Sequence, residues 1–122
     1  MSPDERLLTL LFDAYNRRDF TAFSAGLHAQ IDWPDQTRGG RMVGLAALED
    51  YWALNDAVIR VEVTPIGFTR LPDGRVRVRV NQVVSNLAGG LWSDLQVLHD
   101  YSFRDGLVSR LDLVAGNAGD EL

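Results

Sequence analysis

The sequence predicts an α+β domain in which N-terminal helices cover one face of a curved antiparallel sheet. Three observations carry that prediction. Up to about Asn55 the apolar residues recur at helical spacing, interrupted by one short strand. From Val58 onward they alternate with polar residues, and Asp105-Gly106 sits between two alternating runs, a strong short-range hairpin signal. A chain of 122 residues has room for one core, so residues 1–122 are read as a single domain.

Each element has a local cause. Ser2-Pro3-Asp4-Glu5 supplies an N-cap serine, a proline at the first helical position and a glutamate at the capping-box position. Leu7, Leu8, Leu11, Phe12 and Tyr15 then share one helical face. Asn16 to Asp19 breaks the pattern, and Asp19 can cap a short second helix that carries Phe20, Phe23 and Leu27 inward. Ile31-Asp32-Trp33 reads as a short strand ended by Pro34. Asp35 to Gly44 reads as a charged loop, and a helix follows to about Asn55 with Leu45, Leu48 and Trp52 on its apolar side.

A four-strand antiparallel meander completes the order. Val61 and Val63 lead to a turn at Leu71-Pro72-Asp73-Gly74. Val76, Val78, Val80, Gln82 and Val84 alternate with Arg75, Arg77, Arg79, Asn81 and Ser85. Ala88 to Leu91 turns the chain into a strand that places Leu95, Val97, His99, Tyr101 and Phe103 on one face. His99 is therefore an imidazole in an apolar and aromatic row, the kind of wall that lines a pocket.

Composition excludes several classes of function. The chain has no Cys, which removes disulfides and thiolate chemistry, and its twelve basic residues are all Arg, which removes Schiff-base and Walker-type lysine chemistry. A net charge of −5 argues against nucleic acid, and Asp94 and Asp100 are placed to neutralise the Arg75, Arg77 and Arg79 stripe. No apolar run approaches a membrane span, and Met1 to Glu5 lacks a basic leader, so a cytoplasmic location without membrane contact is expected. Two histidines without a supporting motif give no metal site, and no cofactor is implied.

Register refines the picture. A four-residue loop over 88–91 sets Val80 opposite His99, Gln82 diagonal to it, and Arg79 opposite Asp100 on the outer face. A two-residue turn at Asp105-Gly106 sets His99 opposite Asp112, whereas a bulge near that turn moves Asp112 outside. In the unbulged register the outer face carries Trp92, Leu98, Leu111 and Leu113. A sheet apolar on both sides needs a second partner, so a homodimer centred near Leu98 is expected.

Four stretches together resemble the nuclear transport factor 2-like superfamily: Phe12 to Asp19, Asp32-Trp33-Pro34-Asp35, Gly44 to Trp52, and His99 to Val108. The resemblance spans Leu7 to about Leu113. That superfamily includes ketosteroid isomerase, SnoaL-type polyketide cyclases and limonene epoxide hydrolase. The chain is most similar to SnoaL-like bacterial members assigned by fold alone. The resemblance implies a cystatin-like cone, a pocket inside it, and dimers through the outer sheet face. It puts His99 where the isomerase keeps a protonated carboxyl, Trp33 where its general base lies, and Leu11 where its tyrosine donor lies. Steroid isomerisation by that mechanism is therefore not expected.

The candidate catalytic residues are His99 as proton carrier, with Asp112 or Asp35 as its carboxylate partner. Candidate ligand-binding residues are Trp33, Gln82, Tyr101 and Val97, facing a small apolar or polyketide-like ligand. His28 reads as structural. Three functions compete: an acid–base isomerase, cyclase or hydrolase; a non-catalytic ligand-binding module; and an association domain with its cone packed shut. An open cavity with a carboxylate beside His99 favours the first, an open cavity without one the second, and a filled cone the third.

Overall fold

Helix α1 (Pro3–Asn16) starts at the expected cap, with the Ser2 hydroxyl accepting the Glu5 amide at 3.2 Å. The structure, a computed structural model, describes residues 1–114. The end of α1 is tied by two backbone bonds, Arg18 N to Tyr15 O and Asp19 N to Ala14 O, which form a Schellman motif with Arg18 at φ 61°. A non-glycine residue in that left-handed region costs roughly 1–2 kcal/mol. The Arg18 side chain offsets the cost by donating to Val61 O at 2.7 Å and to Tyr15 O at 3.2 Å. Asp19 then caps α2 (Phe20–Ala25), accepting the Ala22 amide at 3.0 Å.

The remaining order is β1 (Leu27–Pro34), β2 (Arg41–Val43), α3 (Leu45–Asp56), β3 (Ile59–Arg70), β4 (Val76–Asn86), β5 (Leu91–Arg104) and β6 (Leu107–Leu113). The strands form one curved, unclosed sheet in the order β2-β1-β6-β5-β4-β3. The expected α+β architecture is present, with two differences. Part of the expected 35–44 loop is the strand β2, and β1 runs parallel to β6, so the sheet is mixed rather than wholly antiparallel. The α1 face of Leu8, Leu11 and Phe12 meets Val63 of β3, Val76, Val78 and Val80 of β4, and Tyr101 and Leu111 across the sheet.

Both hairpins carry register changes. The β4–β5 connection closes earlier than the sequence predicts, because the Asn86 side chain accepts the Ala88 and Gly90 amides and Asn86 N bonds Gly90 O. After an irregularity beside Trp92, Val78 faces His99 and Arg77 faces Asp100, two residues from the expected Val80 and Arg79. A two-residue displacement preserves which face each side chain occupies, so the valine row stays inside, but Gln82 now lies opposite Leu95 rather than beside His99. In the β5–β6 hairpin, Ser109 is an extra residue without a partner. The odd-numbered displacement puts Leu113 opposite His99 and Asp112 opposite Asp100.

That bulge also takes Leu111 and Leu113 off the outer face. Leu111 is buried against Tyr101, and Leu113 shares the His99 side. The outer face is instead a lattice of ion pairs. Arg77 grips Asp100 at 2.8 and 2.9 Å, Arg110 grips Asp112 at 2.9 and 3.1 Å and Asp32 at 2.8 Å, and Arg41 bonds Asp32 at 2.7 Å. Leu98 stays on the outer face between Arg79 and Val114, and Trp92 stays exposed, so Leu111 and Leu113 are the two apolar residues that the expected outer face loses.

Strand β3 is a sheet edge whose backbone needs partners. Asn16 supplies them: its Nδ2 donates to Val63 O at 2.7 Å, and its Oδ1 accepts Val63 N at 2.9 Å. Asn16→Ala would leave both backbone groups without that partner. The expected loss is roughly 1–3 kcal/mol, read as a lower urea midpoint with an unchanged slope.

Candidate functional site

Between α1, α3 and the concave sheet face lies an open cavity of about 360 Å³. One wall is aromatic. Trp52 of α3 packs its ring 5.0 Å from both Tyr15 and Phe23, and Phe23 lies 5.9 Å from Trp33 of β1. The opposite wall is the sheet, which contributes Val61, Val63, Gln82, Val84 and Leu111. Helical periodicity explains the first wall and strand alternation the second: both sets are the faces that the chain buries anyway.

The deep end is polar but uncharged. His99 and Tyr101 lie two apart on β5, hence on one face, and are 7% and 5% exposed. His99 Nδ1 and the Tyr101 hydroxyl oxygen are 3.0 Å apart, and the two rings meet edge to face. Phe12 closes over Tyr101 with ring centres 6.1 Å apart. No carboxylate of the described residues pairs with the imidazole. Burial pushes the His99 pKa down to about 4, against a weaker upward pull from Asp100 on the other face. Burial likewise pushes the Tyr101 hydroxyl far above its usual range. His99 Nε2 has no partner among the described residues, yet no buried side-chain nitrogen or oxygen is orphaned there, so Nε2 keeps accessible surface on a ring that lines the cavity.

The mouth holds the charges. Arg18 lies over the Tyr15 ring, 5.3 Å from its centre, and its Nε is 3.5 Å from Asp56, which Arg60 also holds at 2.7 Å. Gln36 and Thr37 line the rim, where the Gln36 amide donates to the Tyr51 hydroxyl at 3.2 Å.

The structure sorts the predicted residues. Trp33, Gln82, His99 and Tyr101 line the cavity; Val97 lies on the same sheet face without lining it. Asp35 does not reach His99. Its carboxylate caps its own loop, accepting the Arg38 and Thr37 amides at 2.9 and 3.0 Å and the Arg38 guanidinium at 3.2 Å, which hold its pKa below the ordinary value. Asp112 faces outward, where the Arg110 guanidinium lowers its pKa. His28 Nδ1 accepts the Gln30 amide at 3.0 Å, in keeping with a structural role. Sequence reasoning missed the partner of His99, although the spacing of Tyr101 placed both on one face. It also missed Arg18, Tyr51 and Asp56, whose signal is weaker: Tyr51 with Asn55, and Trp52 with Asp56, are four-residue pairs on α3. Among the described residues, no cluster of three or more His, Asp or Glu is arranged to hold a metal, and no helix is long and apolar enough to cross a membrane.

Helices on a curved sheet around such a cavity define the nuclear transport factor 2-like fold, and solved structures share it. The chain superimposes on an NTF2-like protein of unknown function from Burkholderia pseudomallei K96243 with a TM-score of 0.81 at 19% identity, over 93% of this chain and 91% of that one. TerC, co-crystallised with polyporic acid, gives 0.80 at 23% identity over 93% and 91%. A candidate polyketide cyclase from Pseudomonas putida KT2440 gives 0.79 at 21% identity over 99% and 96%. No family model matches the chain, and no curated protein matches it in sequence. At such identities the likeness defines the fold, and the activity has to be argued from the cavity.

The buried imidazole makes stability depend on pH. Its pKa falls from the ordinary 6.5 to about 4 on folding, so protons favour the unfolded chain. The stabilisation is complete above about pH 6.5 and is lost as the pH falls towards about 4. Between pH 7.5 and 5 the expected loss is about 2 kcal/mol. Urea unfolding at the two pH values measures it, and His99→Leu, which retains His28, should lose most of the difference.

Proposed function

We propose that this chain is a small-molecule-binding protein whose cone takes a largely apolar, flat ligand of aromatic or polyketide-like type. The observation that carries the reading is an open cavity of about 360 Å³, walled by aromatic rings and valines, with no carboxylate of the described residues paired with its one buried imidazole. The volume falls within the ordinary range for small-molecule sites, and the lining has the usual apolar majority with a few convergent polar groups. The open cavity argues against an association domain with a closed cone.

Acid–base catalysis is the weaker reading. An isomerase, cyclase or hydrolase built on His99 would draw on a partner that orients the ring and stabilises its cation. Asp112 and Asp35, the expected partners, are bound to arginines elsewhere. Burial also makes the imidazolium costly to form. The co-crystallisation of TerC with polyporic acid supports a small-molecule ligand for a cone of this shape.

Fluorene, a flat hydrocarbon, is a suitable first probe. Saturable quenching of Trp33 and Trp52 fluorescence is expected, together with a rise in Tm; a hundredfold excess over Kd adds about 2.7 kcal/mol. Val84→Trp, which fills the cavity from β4, should abolish both responses while the circular dichroism spectrum is retained. Absence of saturable quenching in the wild type would contradict the reading.

A further inference from the structure

The hydroxyl of Tyr101 has to donate a hydrogen bond somewhere, because an unmade one in so buried a place costs roughly 1–3 kcal/mol. Its one side-chain partner among the described residues is His99 Nδ1, at 3.0 Å. If Nδ1 carried a hydrogen and donated to the tyrosine oxygen, the tyrosine O–H would have no acceptor among the described residues. The arrangement that satisfies both groups has Tyr101 donating and Nδ1 accepting. A neutral imidazole with a bare Nδ1 carries its proton on Nε2, the nitrogen left accessible on this cavity-lining ring.

We infer that His99 presents a fixed, uncharged N–H donor to the bound molecule, which answers with a neutral acceptor such as a ketone or ester carbonyl, and that Tyr101 is the positioning residue that fixes this polarity. This inference rests on the binding reading of the cavity and names the chemistry of the ligand's buried end. An acceptor there gains a hydrogen bond in apolar surroundings, whereas a hydroxyl or amine hydrogen meets no acceptor on the ring. A carboxylate would be buried without a cation, since Arg18, the guanidinium that lines the cavity, lies at the mouth and is already bonded to Val61 O and Asp56. Gln82 offers both a donor and an acceptor and so does not discriminate.

Fluorenone and fluorene share one tricyclic frame and differ by a carbonyl, so their affinities separate the two readings. The wild type should bind fluorenone about fivefold to tenfold more tightly, in line with one net hydrogen bond. The carbonyl stretch of bound fluorenone should lie below its value in an apolar solvent. Tyr101→Phe should reduce the affinity ratio several-fold by freeing the proton to move between ring nitrogens, and His99→Leu should bring it to about one. Where either variant fails to fold by circular dichroism, the carbonyl stretch in the wild type decides alone. Equal affinities with an unshifted stretch would overturn the inference while leaving the binding reading standing. Failure of both probes to bind would overturn that reading and the inference with it.

Discussion

One extra residue in β6 sets the chemistry of the cone. Ser109 has no partner on β5, and every side chain beyond it changes face relative to an unbulged hairpin. Leu111 then enters the cavity wall, Leu113 stands opposite His99, and Asp112 joins the arginines outside. Without the bulge a carboxylate would face the imidazole directly, and the same sequence would present an acid–base pair. With it, the described residues put neutral groups at the deep end. The proton position on His99, its depressed pKa and the preference for an uncharged ligand group all follow.

The sheet thereby separates its charges by face. Arg110, Arg41, Asp32 and Asp112 interlock on the outside, and Arg75 and Arg77 converge on Asp100. Each exposed pair adds at most about 1 kcal/mol, so their larger consequence is where they hold the carboxylates. Asp100 is the informative case. Its carboxylate adjoins His99 in sequence and favours the imidazolium, yet burial of the ring outweighs it and the pKa still falls to about 4. Desolvation, not the nearest charge, decides the state of the site.

Much of the fold was legible because its signals are local. The Ser2 cap, the Asp19 cap and the Asp105-Gly106 turn, with Asp105 at φ 55° and Gly106 at φ 76°, each depend on a few neighbouring residues. Face assignments on β4 survived a two-residue error in register because strand alternation has period two. Pairings across the sheet were less legible. The Asn86 turn and the Ser109 bulge are choices among turn geometries of similar cost, and one residue in the second reversed the roles of Leu111 and Asp112. The parallel pairing of β1 with β6 joins distant segments and leaves no mark in either strand's own pattern. His99, Tyr101, Trp33 and Gln82 were found because each breaks or completes an apolar row. Arg18 and Asp56 escaped because charged residues at helix ends ordinarily face solvent.

The chemistry of the cone turns on where one proton sits. Neutron diffraction from a deuterium-exchanged crystal grown near neutral pH would locate it directly. The expected map shows a deuteron on His99 Nε2, a bare Nδ1, and the Tyr101 deuteroxyl directed at Nδ1. A deuteron on Nδ1, alone or together with one on Nε2, would contradict it.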